Sequence, residues 1–520
     1  MLRVFQTDIS DPEQFIMTLE LVPGRDATGR SVDTVMGIAR DAFADGRVSA
    51  VSITDNPGGN PSLSPDAIGY RIFSIGMDVI VHFTCRDMNR VGMESRALQL
   101  AMMGMKNILA LTGDYAGKGF GGQGAPVFDL DSVNLQIMLA MISQRINAAG
   151  DPDGFFTGCA VSPFKQTEGE LVAQYTKMSR KVAAGAQFII TQLGYDARKF
   201  QELLGIQTHA DLAVPTLGSV YLLTPKAARM MNQGRVPGAV VSDRLLHQVE
   251  REWRDKTQGR SAMVERSARL ASILRGLGYR GIHLGGVHRD FSMAGLVLDR
   301  MEQIKDDWQT FVPQFDDPQP NGYYVFPEHP PTPVSTPVFG KKPQPMTFVD
   351  RTLYPLMAHS HHLLFKFDSP LAPFIQSIFT MLDRHGIGRM FLRLTEHPVK
   401  WILLGCLECG DCAIEHVGFL CPESKCPKHI RNGACGGSRH GMCEVNPDRR
   451  CVWFRAHNRL ASRGRVSQLC EGCVPPRMWE LNHSSSWLNF YLRRDHHSNG
   501  SEIVSLCRAT TCRYLAEVDR

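Results

Sequence analysis

Eight short apolar segments alternate with amphipathic helical patterns over residues 1–310, and this alternation constrains the fold more than any other feature. Between the segments, apolar side chains recur at helical spacing, as at Val35, Ile38 and Ala42. Eight buried strands with intervening helices indicate a parallel sheet covered on both faces. We therefore predict an α/β fold, a (β/α)8 TIM barrel, with a doubly wound open sheet as the alternative. The segments are FIMTLEL, AVSITD, DVIVHFTC, NILALTGD, TGCAVSP, FIITQLGYD, AVPTLGSVYL and GIHLGGV.

The chain changes character after the eighth segment. Residues 311–350 are rich in proline and lack periodicity, which predicts an extended linker. Residues 351–480 begin with a mostly helical stretch and continue into a cysteine-rich segment, so we predict a small metal-binding domain there. The polar, histidine-rich residues 481–520 are predicted to form a tail.

Composition excludes several classes of protein. No apolar run approaches the roughly 20 residues of a membrane span, and the N-terminus lacks the pattern of a signal peptide. The net charge of +5 is mild, and no basic stripe indicates a nucleic-acid partner. We expect a cytoplasmic protein without membrane or nucleic-acid partners, and we leave homo-oligomerisation open.

Cysteines are concentrated near the C-terminal end, where twelve of the fourteen lie between Cys406 and Cys512. In a reducing compartment such clusters usually bind metal. Eight of them fall within 46 residues, enough for two sites of four ligands. The CxxCxxC run favours an iron–sulfur cluster, with zinc as the alternative. The predicted ligands are Cys406, Cys409, Cys412, Cys421, Cys426, Cys435, Cys443 and Cys451.

Polar residues stand at the carboxyl ends of the predicted strands, where barrel enzymes build their active sites. A carboxylate at such a position is partly desolvated, so its pKa should rise and it could hold a proton. Glu20 is therefore a candidate general acid; the alternative is a rim carboxylate in a salt bridge. The same alternative applies to Asp114, and a hydrogen-bonded core histidine is the alternative at His82.

Taken in order, these segments resemble the methylenetetrahydrofolate reductase family over roughly residues 13–305. The resemblance rests on the strand with Glu20, then SITDNPGG, HFTC, ALTGD, RKVAAGAQFIITQ and GIHLGGVHRD. The segment CPKHIRNGACGGSRHGMCEVNPDRRCVW resembles the cysteine-rich C-terminal domain of one branch of that family.

The resemblance implies a flavin, FAD or alternatively FMN, that passes hydride through N5 between methylenetetrahydrofolate and methyltetrahydrofolate. The electron donor would be NAD(P)H or a protein. It also implies that Glu20 is the catalytic proton donor, that Asp114 is catalytic and binds the pterin, and that Gln192 contacts folate. The cofactor-binding positions it implies are Thr54, His82, Thr84, Thr112, Gly113, Asp114, Phe128, Asp129 and Lys181.

The chain departs from the family pattern at two positions near the cofactor. Thr112 replaces the usual arginine, and Gln174 replaces an acidic residue that often contacts the flavin ribose. Two other hypotheses therefore stay open: an enzyme that oxidises methyltetrahydrofolate from a demethylation pathway, and a protein associated with a folate or corrinoid methyltransferase that has no reductase activity.

Overall fold

A computed structural model describes residues 4–151, 153–327, 335, 337–339, 346–497, 503 and 506. Eight parallel strands close into a barrel in which each strand pairs with its neighbours in sequence. The (β/α)8 TIM barrel is confirmed, and the doubly wound alternative is wrong. The strands are β1 (Ile16–Leu21), β2 (Val48–Ile53), β3 (Val79–Thr84), β4 (Asn107–Leu111), β5 (Phe156–Val161), β6 (Phe188–Thr191), β7 (Thr216–Tyr221) and β8 (Gly281–Gly285).

Helices cover the outside of the barrel, and the long gap between β7 and β8 holds three of them. In the described part of the chain, none of the helices combines the length and apolarity needed to cross a membrane. They are α1 (Val4–Ser10), α2 (Arg30–Asp45), α3 (Pro65–Phe73), α4 (Arg90–Met102), α5 (Ser132–Ala148), α6 (Glu168–Ala183), α7 (Ala197–His209), α8 (Pro225–Asn232), α9 (Asp243–Glu252), α10 (Lys256–Leu277), α11 (Ser292–Ile304) and α12 (Trp308–Phe311).

The barrel interior is apolar at its amino end and polar at its carboxyl end. Helix α1 closes the amino end, where the Phe5 ring packs edge-on against Phe156 at 5.8 Å and Phe188 at 5.2 Å. Side chains of a strand alternate between its faces, so residues two and four positions further on point to the same side. In β1, Ile16 and Glu20 therefore point to the same side of the strand, and Glu20, near the carboxyl end, has its carboxylate at the rim.

The described start of the predicted linker, residues 311–327, packs against the barrel. Val325 and Phe326 are buried, and the guanidinium of Arg198 lies 4.0 Å from the centre of the Tyr324 ring. Most of the remaining predicted linker, including residues 328–334 and 340–345, lies outside the described residues.

The C-terminal module, residues 346–497, packs on the barrel through α17 (Val452–Ala461). Trp453 on α17 joins Val172 and Tyr175 of α6 in one apolar cluster. Helix α18 (Ser486–Tyr491) lies in the predicted polar tail, yet its Tyr491 packs against Phe379 of α14 (Ala372–Asp383) at 5.1 Å. The start of that tail thus belongs to the folded module, while residues 498–502 lie outside the described chain. The module's helices are α13 (Phe348–Leu364), α14 (Ala372–Asp383), α15 (Gly386–Leu404), α16 (Pro422–Lys425), α17 (Val452–Ala461) and α18 (Ser486–Tyr491).

Candidate active site

A cavity of about 290 Å³ lies at the carboxyl ends of the barrel strands. Its size is near the lower end of the range for small-molecule sites. Most of the side chains predicted for the site line this one cavity. They are Glu20, Thr54, His82, Thr84, Thr112, Gly113, Asp114, Lys181 and Gln192.

Two predicted cofactor-binding residues, Phe128 and Asp129, are not among the residues that line the cavity. Phe128 is buried and stacks on Tyr115, with ring centres 6.3 Å apart. The Asp129 carboxylate accepts hydrogen bonds from Arg90 and from the indole N–H of Trp479, at 2.8 and 2.7 Å. Its partners are thus an α4 side chain and a module side chain.

Glu20 faces His283, a residue of β8 that the sequence reasoning did not select. The Glu20 Oε2 lies 3.8 Å from His283 Nε2, and the His283 Nδ1 is held by Thr18 Oγ1 at 2.8 Å. Burial acts to raise the pKa of Glu20, but the hydrogen bond and charge of His283, with smaller effects of His82 and His288, outweigh it and lower the pKa. The expectation that the pKa of Glu20 is raised is therefore wrong for the protein without substrate.

Asp114 is held in place by a tight contact between two rim loops. Its Oδ2 accepts a hydrogen bond from the Gly58 N–H at 2.8 Å. A Cβ added at Gly59 would lie 1.9 Å from the Tyr115 carbonyl oxygen, and the Gly117 N–H donates to the Gly59 carbonyl at 2.9 Å. Only glycine at position 59 lets the loop approach this closely, which fixes the loop beside the Asp114 carboxylate.

Three buried polar atoms on cavity-lining residues have no partner in the described part of the chain: His82 Nε2, Ser162 Oγ and Glu444 Oε2. Burial lowers the pKa of His82 to about 4, so its imidazole is neutral near pH 7. Unpaired buried polar groups are rare in proteins because each costs about 1–3 kcal/mol. A polar ligand in the cavity would supply the missing partners.

Three lysines line the same cavity and supply positive charge, which the uncharged side chain of Thr112 cannot supply. Lys177 Nζ lies 3.4 Å from Thr112 Oγ1, and Lys428 Nζ donates to the Gly113 carbonyl at 2.8 Å. Burial lowers the pKa of Lys181 to about 8. An anionic group of a ligand would thus have several cations within the walls of the site.

The C-terminal module forms part of the cavity wall, which the sequence did not predict. Lys428, Cys435, Gly436, Gly437 and Glu444 line the cavity together with the barrel residues. No local sequence pattern indicates this placement, because these residues lie more than 300 positions from Asp114.

Residues 431–438 form the docking loop that seats the module on the barrel. The Asn432 amide donates to Asp131, the N-cap of α5, at 3.0 Å. The Gln174 amide donates to the Ala434 carbonyl at 3.2 Å, so this side chain contributes to the contact with the module. These bonds, together with one from Lys165 to the Ser438 carbonyl at 2.7 Å, hold the loop over the strand ends.

The eight clustered cysteines separate into two sets. The second set lines one small cavity and comprises Cys426, Cys435, Cys443 and Cys451. The first set comprises Cys406, Cys409 and Cys412 around another small cavity, with Cys421 close enough to act electrostatically on Cys409. Cys435 belongs both to the second set and to the wall of the barrel cavity.

The spacing of these thiols differs from that of a single-metal site. In the described part of the chain, no three cysteine sulfur atoms lie within 4.8 Å of one another. Four thiolates around one zinc would have edges of roughly 3.8 Å, given bonds of about 2.3 Å.

Comparisons with known proteins agree with this two-part organisation. The family described as "Methylenetetrahydrofolate reductase" matches residues 6–300, and "Methylene-tetrahydrofolate reductase C terminal" matches residues 386–480. A "Probable methylenetetrahydrofolate reductase (NADPH)" from Caenorhabditis elegans is 29% identical over 130 residues, which cover 25% of this chain and 18% of that protein. The chain thus spans less than a fifth of that relative's length in the alignment.

Two solved structures are also similar at low identity. One is an uncharacterized protein from Clostridium thermocellum described as binding two copies of 5-methyl-5,6,7,8-tetrahydrofolic acid, with 12% identity, a TM-score of 0.39 and coverage of 58% of this chain and 99% of that one. The other is a 2,3-dimethylmalate lyase, with 12% identity, a TM-score of 0.33 and coverage of 59% and 85%.

Proposed function

We propose, because the chain belongs to the methylenetetrahydrofolate reductase family, that its barrel cavity interconverts 5,10-methylenetetrahydrofolate and 5-methyltetrahydrofolate. The observation that carries this proposal is the meeting of Glu20, Asp114 and Gln192 in one cavity at the strand ends. Carboxylates and an amide are suited to bind the donors and acceptors of a pterin ring.

Glu20 is proposed as the proton donor, with His283 as a positioning residue. The methylene bridge opens only when the departing folate nitrogen is protonated, which requires a held proton. The pKa of Glu20 is lowered in the free protein, and we propose that His283, at 3.8 Å, orients the Glu20 carboxylate. Substrate bound over the pair would exclude water and favour the neutral carboxyl group of Glu20.

A flavin, FAD or FMN, fits the chemistry of the remaining cavity wall and would supply the hydride when bound. The His82 Nε2, which has no partner among the described residues, could hydrogen-bond to it. Thr54 and Thr84 could contact it through their hydroxyl groups, and Lys181 and Lys428 could hold its phosphate. A Cβ added at Gly113, whose φ is 88°, would lie 3.0 Å from the Thr84 Cβ, so glycine keeps this part of the cavity wall free of a side chain.

The test of this function is the Glu20→Gln variant, because it removes the proton and keeps the size of the side chain. We expect methyltetrahydrofolate formation to fall by about 100-fold or more, with flavin content unchanged. Glu94→Gln is the matched control, since the Glu94 side chain is 44% exposed. Formation of methyltetrahydrofolate by Glu20→Gln at the rate of the unaltered protein would rule out the proposed role.

For the cysteine module we propose iron–sulfur clusters that pass electrons from a protein donor to the barrel. Cys435 supports this role, because it stands in the wall shared by the second set and the barrel cavity. A nicotinamide donor, as the name of the nematode relative implies for that protein, would need no such contact. We expect the purified chain to contain iron and sulfide, with visible absorption beyond that of flavin; zinc alone at the cysteines would exclude the clusters.

A further inference from the structure

Three histidines meet in the module, outside the residues that line the barrel cavity and the two small cysteine cavities. His416 lies in the short segment Glu415–Val417, and His496 and His497 follow α18. Their ligand atoms all lie within 4.8 Å of one another, and His416 Nε2 is 3.2 Å from His496 Nε2. His496 and His497 fall beyond both regions matched by the family descriptions.

Two of the rings are oriented by buried carboxylates. His496 Nδ1 donates to Asp411, which is 0% exposed, and His497 Nδ1 donates to Asp495 at 2.9 Å, which is 1% exposed. A histidine that binds metal through Nε2 usually donates its Nδ1–H to a carboxylate in this way. The arrangement therefore directs the Nε2 atoms of His496 and His497 toward the centre of the group.

Glu415 borders the group, but it is not among the residues whose ligand atoms all lie within 4.8 Å of one another. Its Oε1 lies 3.3 Å from His416 Nε2 and 2.6 Å from His497 Nε2, while its Oε2 accepts a hydrogen bond from His361 Nε2 at 2.7 Å. A tetrahedral site with bonds of about 2.0–2.1 Å has edges of roughly 3.3 Å between its ligand atoms. The separation of 3.2 Å between His416 Nε2 and His496 Nε2 matches such an edge. The contact of 2.6 Å between Glu415 and His497 is a hydrogen bond that a metal bound to His497 Nε2 would replace.

We propose that His416, His496 and His497 bind one zinc ion, with Glu415 at its edge. Imidazole nitrogen is a ligand that zinc accepts, and zinc sites with three histidines keep a fourth position for water or another group. The ion would tie α13, through His361, to the segment after Cys412 and to the end of α18. The competing interpretation is a network in which protons alone join the same groups.

Zinc and iron analysis of the full-length protein tests the site. The His416→Ala/His496→Ala variant should lose one zinc per chain, with iron, sulfide and flavin unchanged. His483→Ala is the matched control, because that imidazole is exposed and lies in the same part of the module. Equal zinc content in the unaltered protein and the double variant would overturn the proposal.

A second variant keeps the test valid if the double substitution prevents folding. Asp495→Asn leaves the three histidine ligands in place and removes only the carboxylate that orients His497. It should weaken Zn²⁺ binding by about 10- to 100-fold, measured by competition with a chelator. Cobalt added to the metal-free unaltered protein should give the visible bands of tetrahedral Co²⁺. Unchanged affinity in Asp495→Asn, or no cobalt bands, would show that only protons join these groups.

Discussion

Replacing Lys428 by methionine tests how much a buried ion pair within the module, beside its contact with the barrel, contributes to stability. The side chains of Lys428 and Glu444 form this pair and are only 4% and 10% exposed. Lys428 also donates to the Gly113 carbonyl at 2.8 Å. Lys428→Met keeps the side-chain volume but leaves the Glu444 carboxylate buried beside Cys435, its partner at 3.3 Å. Breaking a buried pair in this way costs about 3–5 kcal/mol of unfolding free energy.

The double variant Lys428→Met/Glu444→Gln separates the pair from the packing around it. No buried charge then lacks a counterion, and the main loss is the hydrogen bond to Gly113, which costs about 1 kcal/mol. We therefore expect the double variant to be more stable than Lys428→Met by about 2 kcal/mol. Arg145→Met is the control, because its pair with Glu94 is exposed and worth under about 1 kcal/mol.

Urea denaturation of the full chain, followed by tryptophan fluorescence, measures these differences. Burial acts to raise the pKa of Glu444, but Lys428 outweighs it and holds the pKa below its usual value. The stability from the pair is therefore present above about pH 4.3, and it is lost as the pH falls through the lowered pKa. A Lys428→Met protein as stable as the unaltered one at pH 7, or a double variant less stable than the single, would refute the reasoning.

Two further predictions concern buried charges elsewhere. Asp350→Ala leaves Arg459, which is 1% exposed, without the carboxylate that contacts it at 2.7 Å. Urea denaturation should show that the free energy of unfolding falls by about 3 kcal/mol or more. Asp368→Ala is the control, because Asp368 is exposed and its loss should leave the stability unchanged. Burial lowers the pKa of Lys181 to about 8, so the flavin affinity of the unaltered protein, measured by fluorescence titration, should weaken above pH 8. In Lys181→Met the affinity should not change with pH over that range. An equal slope in both proteins would contradict a contact between Lys181 and the flavin phosphate.

The barrel could be predicted from the sequence because its signals are local. Each strand carries its own alternation, so Ile16 predicts the direction of Glu20 without knowledge of any other strand. The ends of parallel strands meet at one rim, so Glu20, His82 and Asp114 could be grouped before any contact was known.

The rest of the site depends on pairs that are distant in sequence. The direction of the pKa shift of Glu20 is set by His283, which is 263 positions away, and local burial alone predicted the opposite direction. The hydrogen bond from Asn432 to Asp131 spans 301 positions. Such contacts leave no periodicity in either segment, so the module's place over the cavity could not be predicted, and its cysteine ligands remain a prediction.

The positions of the two cysteine sets bear on the route of electrons in the proposed function. The second set shares Cys435 with the cavity wall, whereas the first set lies beside Leu407, whose side chain is 51% exposed. A protein donor cannot enter a cavity of about 290 Å³, but it could contact the surface near Leu407. Clusters at both sets would then lie in series between that surface and the barrel. A nicotinamide donor must reach the flavin directly and would not use the first set. The presence of both sets therefore favours a protein as the electron donor.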